Sequence, residues 1–195
     1  MQLIIAVVLI GMACISQVLA DEGLDFPETK HVNGTQLIRN GTGVRSLSLF
    51  GMPIKVYVAG FYTLAPLRSW EAVQECSGPK HMEFTFLRSV GQSQVKQAWH
   101  RQLEHSVTHI YEGYEEDRDT FVNLFGPIPS GGTTQIQLLG EDTVVVDQDR
   151  HKGIIRGKDF QRAFLTMWFG EKAVQASLKD GLLGGGAPEA AAALG

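Results

Sequence analysis

Apolar and polar positions along this chain change period several times, and the changes mark out its elements. Residues 36–39 form a short first strand that ends at Asn40-Gly41, after an extended stretch from Phe26-Pro27 to Val32. Residues 41–62 read as two strands rich in Val, Ile, Leu, Phe and Tyr around a tight turn at Phe50-Gly51-Met52-Pro53. Ser69 is placed to cap a short helix over 70–76, which Ser77-Gly78-Pro79 closes. Residues 80–89 alternate, with Met82, Phe84, Phe86 and Arg88 on one face and Glu83 and Thr85 on the other. The spacing of Val95, Trp99, Gln102, Leu103, Val107 and Ile110 predicts a long amphipathic helix over 93–111. A second helix over 115–125 buries Phe121, Leu124 and Phe125 and stops at Gly126-Pro127. Strands follow at 134–139, 142–147 and 152–155, with turns at Gly140-Glu141 and around 149–151. Helices over 158–169, with Phe160, Ala163, Phe164 and Met167 inward, and over 172–182 complete the pattern, and the Gly/Ala-rich residues 184–195 form a flexible tail. Strands, then helices, then a meander, then helices predict an α+β fold, an antiparallel sheet covered on one face by helices.

One residue breaks the pattern. Arg45 shares a strand face with Leu47 and Leu49, while Ser46 and Ser48 point the other way. If the turn occupies residues 50–52, Arg45 lies directly opposite Tyr57; a two-residue turn puts Tyr57 on the other face. A guanidinium on an apolar face is costly unless an anion meets it, and a phenol beside it can donate to the same anion. Either a bound carboxylate or an acid of the chain, Glu83 or Glu104, supplies that anion. Arg88 is a second cation in line with an apolar stripe, but at its strand end it reaches solvent.

The 195 residues are 44% hydrophobic, enough for one well-filled core. A formal charge of −4 offers no overall basic field to attract nucleic acid or acidic lipid, which excludes a nucleic-acid role. Residues 1–20 read as a signal peptide, with an apolar run at 3–10 and Val18-Leu19-Ala20 before Asp21-Glu22; the domain then spans 21–183. The apolar run is short for a membrane span, so export without a stable span is expected, an uncleaved anchor being the alternative. Cleavage leaves Cys76 as the one cysteine, so no intrachain disulfide forms, and the thiol is either buried and inert or paired between chains. Asn33-Gly34-Thr35 and Asn40-Gly41-Thr42 are formal glycosylation sequons, and Asn-Gly is equally a turn dipeptide.

Other chemistry is sparse. His105 and His109, with His100 nearby, sit at helical spacing that two metal ligands could use, but a solvated helix face explains them and no third ligand is placed, so no metal is assigned. Ser106 and Cys76 stand in no nucleophile motif, and Gly184–Gly186 is not a phosphate loop, so no cofactor is assigned either. Phe84, Phe86, Phe121, Phe125, Phe164 and Trp168 are core residues, a subset of which could line an apolar cavity.

Gly43-Val44-Arg45, the run Lys55-Val56-Tyr57-Val58-Ala59-Gly60-Phe61-Tyr62, Phe86-Leu87-Arg88 and residues 164–170 together resemble the chalcone isomerase-like family, nearest its bacterial-type, signal-bearing members. The resemblance runs from about residue 25 to residue 183. It implies an open-faced β-sandwich, a large antiparallel sheet wrapped by helices. The family holds true isomerases, fatty-acid-binding proteins and non-catalytic relatives. In the isomerases the arginine of the G-x-R motif stabilises negative charge that develops during ring closure, and Arg45 takes that position. Where the isomerases carry a threonine on the next strand, Tyr57 stands here, and an Arg/Tyr pair at this spacing holds the ligand carboxylate in the fatty-acid-binding branch. The isomerases also use a tyrosine and an asparagine at the start of the long helix, and residues 90–98 contain neither. Thr166-Met167 resembles a further isomerase pair and is assigned no role.

The resemblance therefore implies an exported protein that binds a fatty acid or similar small amphipathic carboxylate through Arg45 and Tyr57. Two alternatives stand beside it: an intramolecular lyase acting on chalcone-like enones, with Arg45 catalytic, and a structural protein with no small ligand. The oligomeric state is not assigned.

Overall fold

The computed structural model describes residues 26–107, 111–148 and 150–185. Seven antiparallel strands follow one another in sequence order across a single sheet: β1 (Thr29–Val32), β2 (Thr35–Leu49), β3 (Met52–Thr63), β4 (Lys80–Phe86), β5 (Thr133–Leu139), β6 (Asp142–Asp147) and β7 (Arg150–Ile155). Five helices are interleaved: α1 (Trp70–Glu75), α2 (Gln92–Ser106), α3 (Tyr114–Asn123), α4 (Lys158–Phe169) and α5 (Ala176–Leu182). This is the expected α+β architecture. The expected signal segment 1–20 and residues 186–195 of the expected tail lie outside the described residues, and no described helix is long and apolar enough to cross a membrane.

Strand alternation sorts the side chains into two clusters. Ala59, Phe61, Met82, Phe84, Ile136, Leu138 and Val145 face the helices and pack on α4, which buries Phe160, Phe164, Met167 and Trp168. On the other face Phe26, Val32, Leu37, Val58 and Tyr62 make a smaller cluster. Gly60 makes room for it, since a Cβ there would stand 2.4 Å from the Phe26 ring.

A polar group is trapped beneath that smaller cluster. His81 is fully buried, its ring 5.7 Å from that of Tyr62, and neither of its nitrogens has a hydrogen-bond partner among the described residues. Glu83, whose carboxylate is bonded to Lys30, comes no nearer than 3.9 Å. Burial pushes the imidazole below the ordinary histidine range, against the pull of Glu83. The unfolded chain therefore takes up a proton at His81 before the folded one does. Stability from this residue is full above about pH 6.5 and is lost as pH falls below it. Urea unfolding between pH 7.5 and 5 should show a falling midpoint that flattens in His81→Phe; an unchanged slope in the variant would place the acid sensitivity elsewhere.

Helix α2 ends at Ser106, with Val107 extended (φ −83°, ψ 111°), short of the expected end at residue 111, and three further expectations are corrected. The Asn40-Gly41 dipeptide does not end a strand, and β2 runs straight through it. Asn40 is instead an extra residue in a bulge, where register shifts between Arg39 and Gly41. Its buried amide donates to Leu67 O (2.9 Å) and Leu182 O (2.7 Å) and its Oδ1 accepts from Leu67 N (2.6 Å). Tertiary bonds outcompete the local turn, and they leave this sequon no accessible nitrogen. Asn33-Gly34 is the turn dipeptide, at φ +47° and +77°. The second correction concerns residues 172–175, which are not helical. Helix α5 begins only at Ala176, and Gln175 before it is extended (φ −164°, ψ 128°). That segment is held by Val174 N–H on Met167 O (2.8 Å) and by buried Ser106, whose hydroxyl donates to Lys172 O (2.7 Å). The third is the β2–β3 turn, which spans two residues, Phe50 and Gly51, rather than three. Cys76 is half-buried, and its carbonyl accepts from the Lys80 ammonium.

Candidate functional site

With a two-residue turn, Leu49 pairs with Met52 and Ser46 with Lys55, a register that alone would turn Tyr57 away from Arg45. A bulge restores the pairing. Register shifts between Arg45 and Ser46, Val56 becomes the extra residue, and Arg45 stands opposite Tyr57 on the helix-facing side. The expected pair thus forms by a different route from the one its spacing suggested.

The G-x-R spacing has a packing reason. Gly43 lies two residues before Arg45, on the same face, and a Cβ there would meet Leu178 Cδ1 at 2.7 Å and Leu178 O at 3.0 Å. Gly41, two residues earlier, would meet the Gly181 carbonyl at 2.1 Å. Two glycines therefore let α5 lie directly on the β2 backbone. That contact delivers Gln175, the residue before α5, to the arginine.

Gln175 Oε1 accepts from Arg45 Nη1 and from Ser46 N–H, each at 3.0 Å, and its Nε2 donates to Ser177 Oγ (2.7 Å) and Val44 O (3.3 Å). Arg45 Nη1 also donates to Ser46 O at 3.0 Å. Both Nη1 protons are thereby used, and the side chain is fixed. Its Nε–H and the two Nη2 protons bond to nothing among the described residues, which leaves a side-on fork of the kind that grips carboxylates. Neither acid weighed for an internal ion pair reaches Arg45. Glu83 is bonded to Lys30, and Glu104 faces His100 (3.3 Å) and Arg118 (3.4 Å).

Tyr57 is locked by rings. It meets Phe84 edge-on at 5.5 Å, leans on Phe86 at 5.4 Å and lies 6.5 Å from Trp168. Burial pushes its phenol far above the ordinary tyrosine range despite the neighbouring Arg45, so it is a protonated donor at any physiological pH.

Arg45 and Tyr57 line one cavity of about 540 Å³ between the sheet, α2 and α4. Its walls are mostly apolar, from Phe86, Val90, Val95, Trp99, Trp168 and Val174, and the polar residues are Gln102, Arg101 and His105 besides the Arg45/Tyr57 pair. The lining contains two arginines and a histidine but no carboxylate. Trp168 adds an indole N–H that has no hydrogen-bond partner among the described residues. Two other cavities, about 610 and 680 Å³, are lined by cations and carboxylates together, such as Arg162 with Asp159 and Glu71, and Lys80 with Glu141. The mostly apolar, acid-free lining sets the first cavity apart from these two.

Several of these residues carried no sequence signal. Gln175 sat inside an apparent helix, and Trp99 and Trp168 were indistinguishable from core aromatics. Arg88, by contrast, is exposed as expected, its Nε donating to Lys55 O at 2.9 Å. His105 lies at the cavity, His109 lies outside the described residues, and no cluster of three metal-ligating side chains occurs among those described.

A family model described as chalcone isomerase-like matches residues 20–184. Among solved structures, the crystal structure of a fatty-acid binding protein of Arabidopsis thaliana matches with a TM-score of 0.68 over 85% of this chain and 94% of that one. Sequence identity is 18%, so the likeness is one of fold. A comparison with curated proteins gave no match. A family match that spans most of the chain, together with the curled seven-stranded sheet and its helices, establishes that the chain belongs to the chalcone isomerase-like family.

Proposed function

We propose that the protein binds a fatty acid, or a similar amphipathic carboxylate, in the cavity beside Arg45. The observation that carries this reading is an arginine fixed by Gln175, with no carboxylate partner among the described residues, opening onto an apolar cavity free of acids. The carboxylate takes the Nε/Nη2 fork of Arg45 and the Tyr57 hydroxyl, and the alkyl chain lies along Phe86, Val95, Trp99 and Trp168. The fatty-acid binding protein of the same fold supports the ligand class. Binding is favoured over turnover because the first turns of α2 present Val95, Ala98 and Trp99 to the cavity, and residues 90–98 carry neither a tyrosine nor an asparagine. Export belongs to the same reading and rests on the sequence of residues 1–20.

Titration of tryptophan fluorescence with saturated fatty acids and with their methyl esters tests this directly. Acids should bind and quench Trp99 and Trp168, and esters, lacking the anion, should bind far more weakly. Equal affinity for both would refute a carboxylate site.

Gln175→Glu is a sharper probe of the same pair. It places a carboxylate where Oε1 now lies, 3.0 Å from Arg45 Nη1, and so supplies the anion internally. Fatty-acid affinity should fall by roughly tenfold, about 1.4 kcal/mol, with the fold retained. An affinity equal to wild type would mean that Arg45 does not carry the ligand's charge.

A further inference from the structure

We propose that the tip of the β2–β3 hairpin docks the protein on an anionic lipid bilayer. The last β3–β4 pair is Tyr57 with Phe86, whereas β2 and β3 continue together to Leu49 and Met52. The hairpin therefore projects past the sheet as a two-stranded ribbon. Its end is apolar and uncovered: Phe50 is 93% exposed, Met52 64% and Leu47 49%. These are three of the five large exposed hydrophobic residues among those described, gathered in one place.

Phe50 is the informative residue. It holds φ +51° at the first position of a two-residue turn whose second residue is Gly51 at φ +79°. That backbone favours Asn or Gly and disfavours a bulky side chain. A phenyl ring is thus kept at a strained position where it contributes nothing to the core.

Charge identifies the surface that such a tip meets. No Asp or Glu occurs from residue 29 to residue 70, although the whole chain is net negative. Lys55 flanks the tip on β3, and exposed Arg88 is bonded to the Lys55 carbonyl beside it. An apolar wedge rimmed by cations fits a bilayer interface with anionic headgroups, where rings enter the acyl boundary and ammonium groups stay in the headgroup layer. The ribbon also joins the bilayer to the cavity, because Leu47 and Val56 belong to both. Docking at this tip would set the cavity mouth against the membrane, from which an amphipathic molecule can pass without crossing water.

The test is flotation of the full chain with vesicles of phosphatidylcholine alone and of phosphatidylcholine with 30% phosphatidylglycerol. Wild type should float with the anionic vesicles, and less so as salt is raised. Phe50→Asn installs the residue the turn prefers, so thermal stability should hold or rise while the vesicle-bound fraction falls by ~5-fold or more. Phe50 does not line the cavity, so vesicle-free fatty-acid affinity should be unchanged in this variant; Arg45→Ala should show the converse, normal flotation with weakened binding. The two failures are thereby separable. Wild type that does not float, or Phe50→Asn that floats equally, overturns the proposal. So does a dimer in sedimentation velocity that Phe50→Asn converts to monomer without any vesicle binding, which would assign the tip to a second copy of the chain.

Discussion

Arg45→Ala should lower affinity for a long-chain fatty acid by roughly 30- to 100-fold while leaving the fold intact. Truncating one partner of a hydrogen-bonded charge pair costs about 2–5 kcal/mol, and every 1.4 kcal/mol is tenfold. Arg45 is only half-buried, so water screens the pair and the lower end of that range applies. Stability should change little or rise, because the guanidinium brings a desolvation cost to an apolar wall and no described acid offsets it. Tyr57→Phe should lose less, since it removes one hydrogen bond and keeps the ring contacts with Phe84, Phe86 and Trp168. Isothermal titration of both variants gives the ranking. If Tyr57→Phe proves more damaging than Arg45→Ala, the phenol rather than the guanidinium holds the ligand.

The second large effect lies outside the cavity. Gly41→Ala should destabilise the protein by about 3 kcal/mol or more, near the upper range for overpacking a filled site. The added methyl would stand 2.1 Å from Gly181 O, 2.7 Å from Leu182 O and 2.8 Å from Gly184 N. All three are backbone atoms and cannot rotate away. Gly43→Ala should be milder, because its nearest neighbour is the end of the Leu178 side chain. For a domain of this size a 3 kcal/mol loss lowers the melting temperature by roughly 6–12 °C. Because α5 carries Gln175 to Arg45, any Gly41→Ala protein that still folds should also bind fatty acid more weakly. Melting temperatures that do not separate the two variants would mean that α5 does not rest on β2 through these glycines.

These two variants also mark what a linear chain discloses. Elements whose cause is local were legible. Ser69 caps α1 through a hydrogen bond from Ala72 N–H (3.2 Å), β4 buries Met82, Phe84 and Phe86 as alternation requires, and α4 occupies residues 158–169 as its stripe predicts. Arg45 was legible as an anomaly for the same reason, since strand periodicity places it among apolar neighbours. Features whose cause is tertiary were not. Asn40-Gly41 carries a turn signal that three long-range hydrogen bonds override, and residues 172–175 have helical composition but are drawn straight by Ser106 and Met167. Turn length was misjudged because Phe at a positive φ is a poor guess from propensity. The Val56 bulge, which cancels that misjudgement, leaves no mark in the sequence at all. Gln175 shows the limit best: nothing local distinguishes a glutamine that organises a guanidinium from one on a solvated helix.

The central claim is that Arg45 and its cavity hold an amphipathic carboxylate. Native mass spectrometry of the protein purified without added lipid, followed by organic extraction of what co-purifies, tests it most directly. A single long-chain fatty acid bound per chain in wild type, and lost from Arg45→Ala, is the result predicted. A wild-type protein that emerges empty and stays empty when fatty acid is added would contradict it.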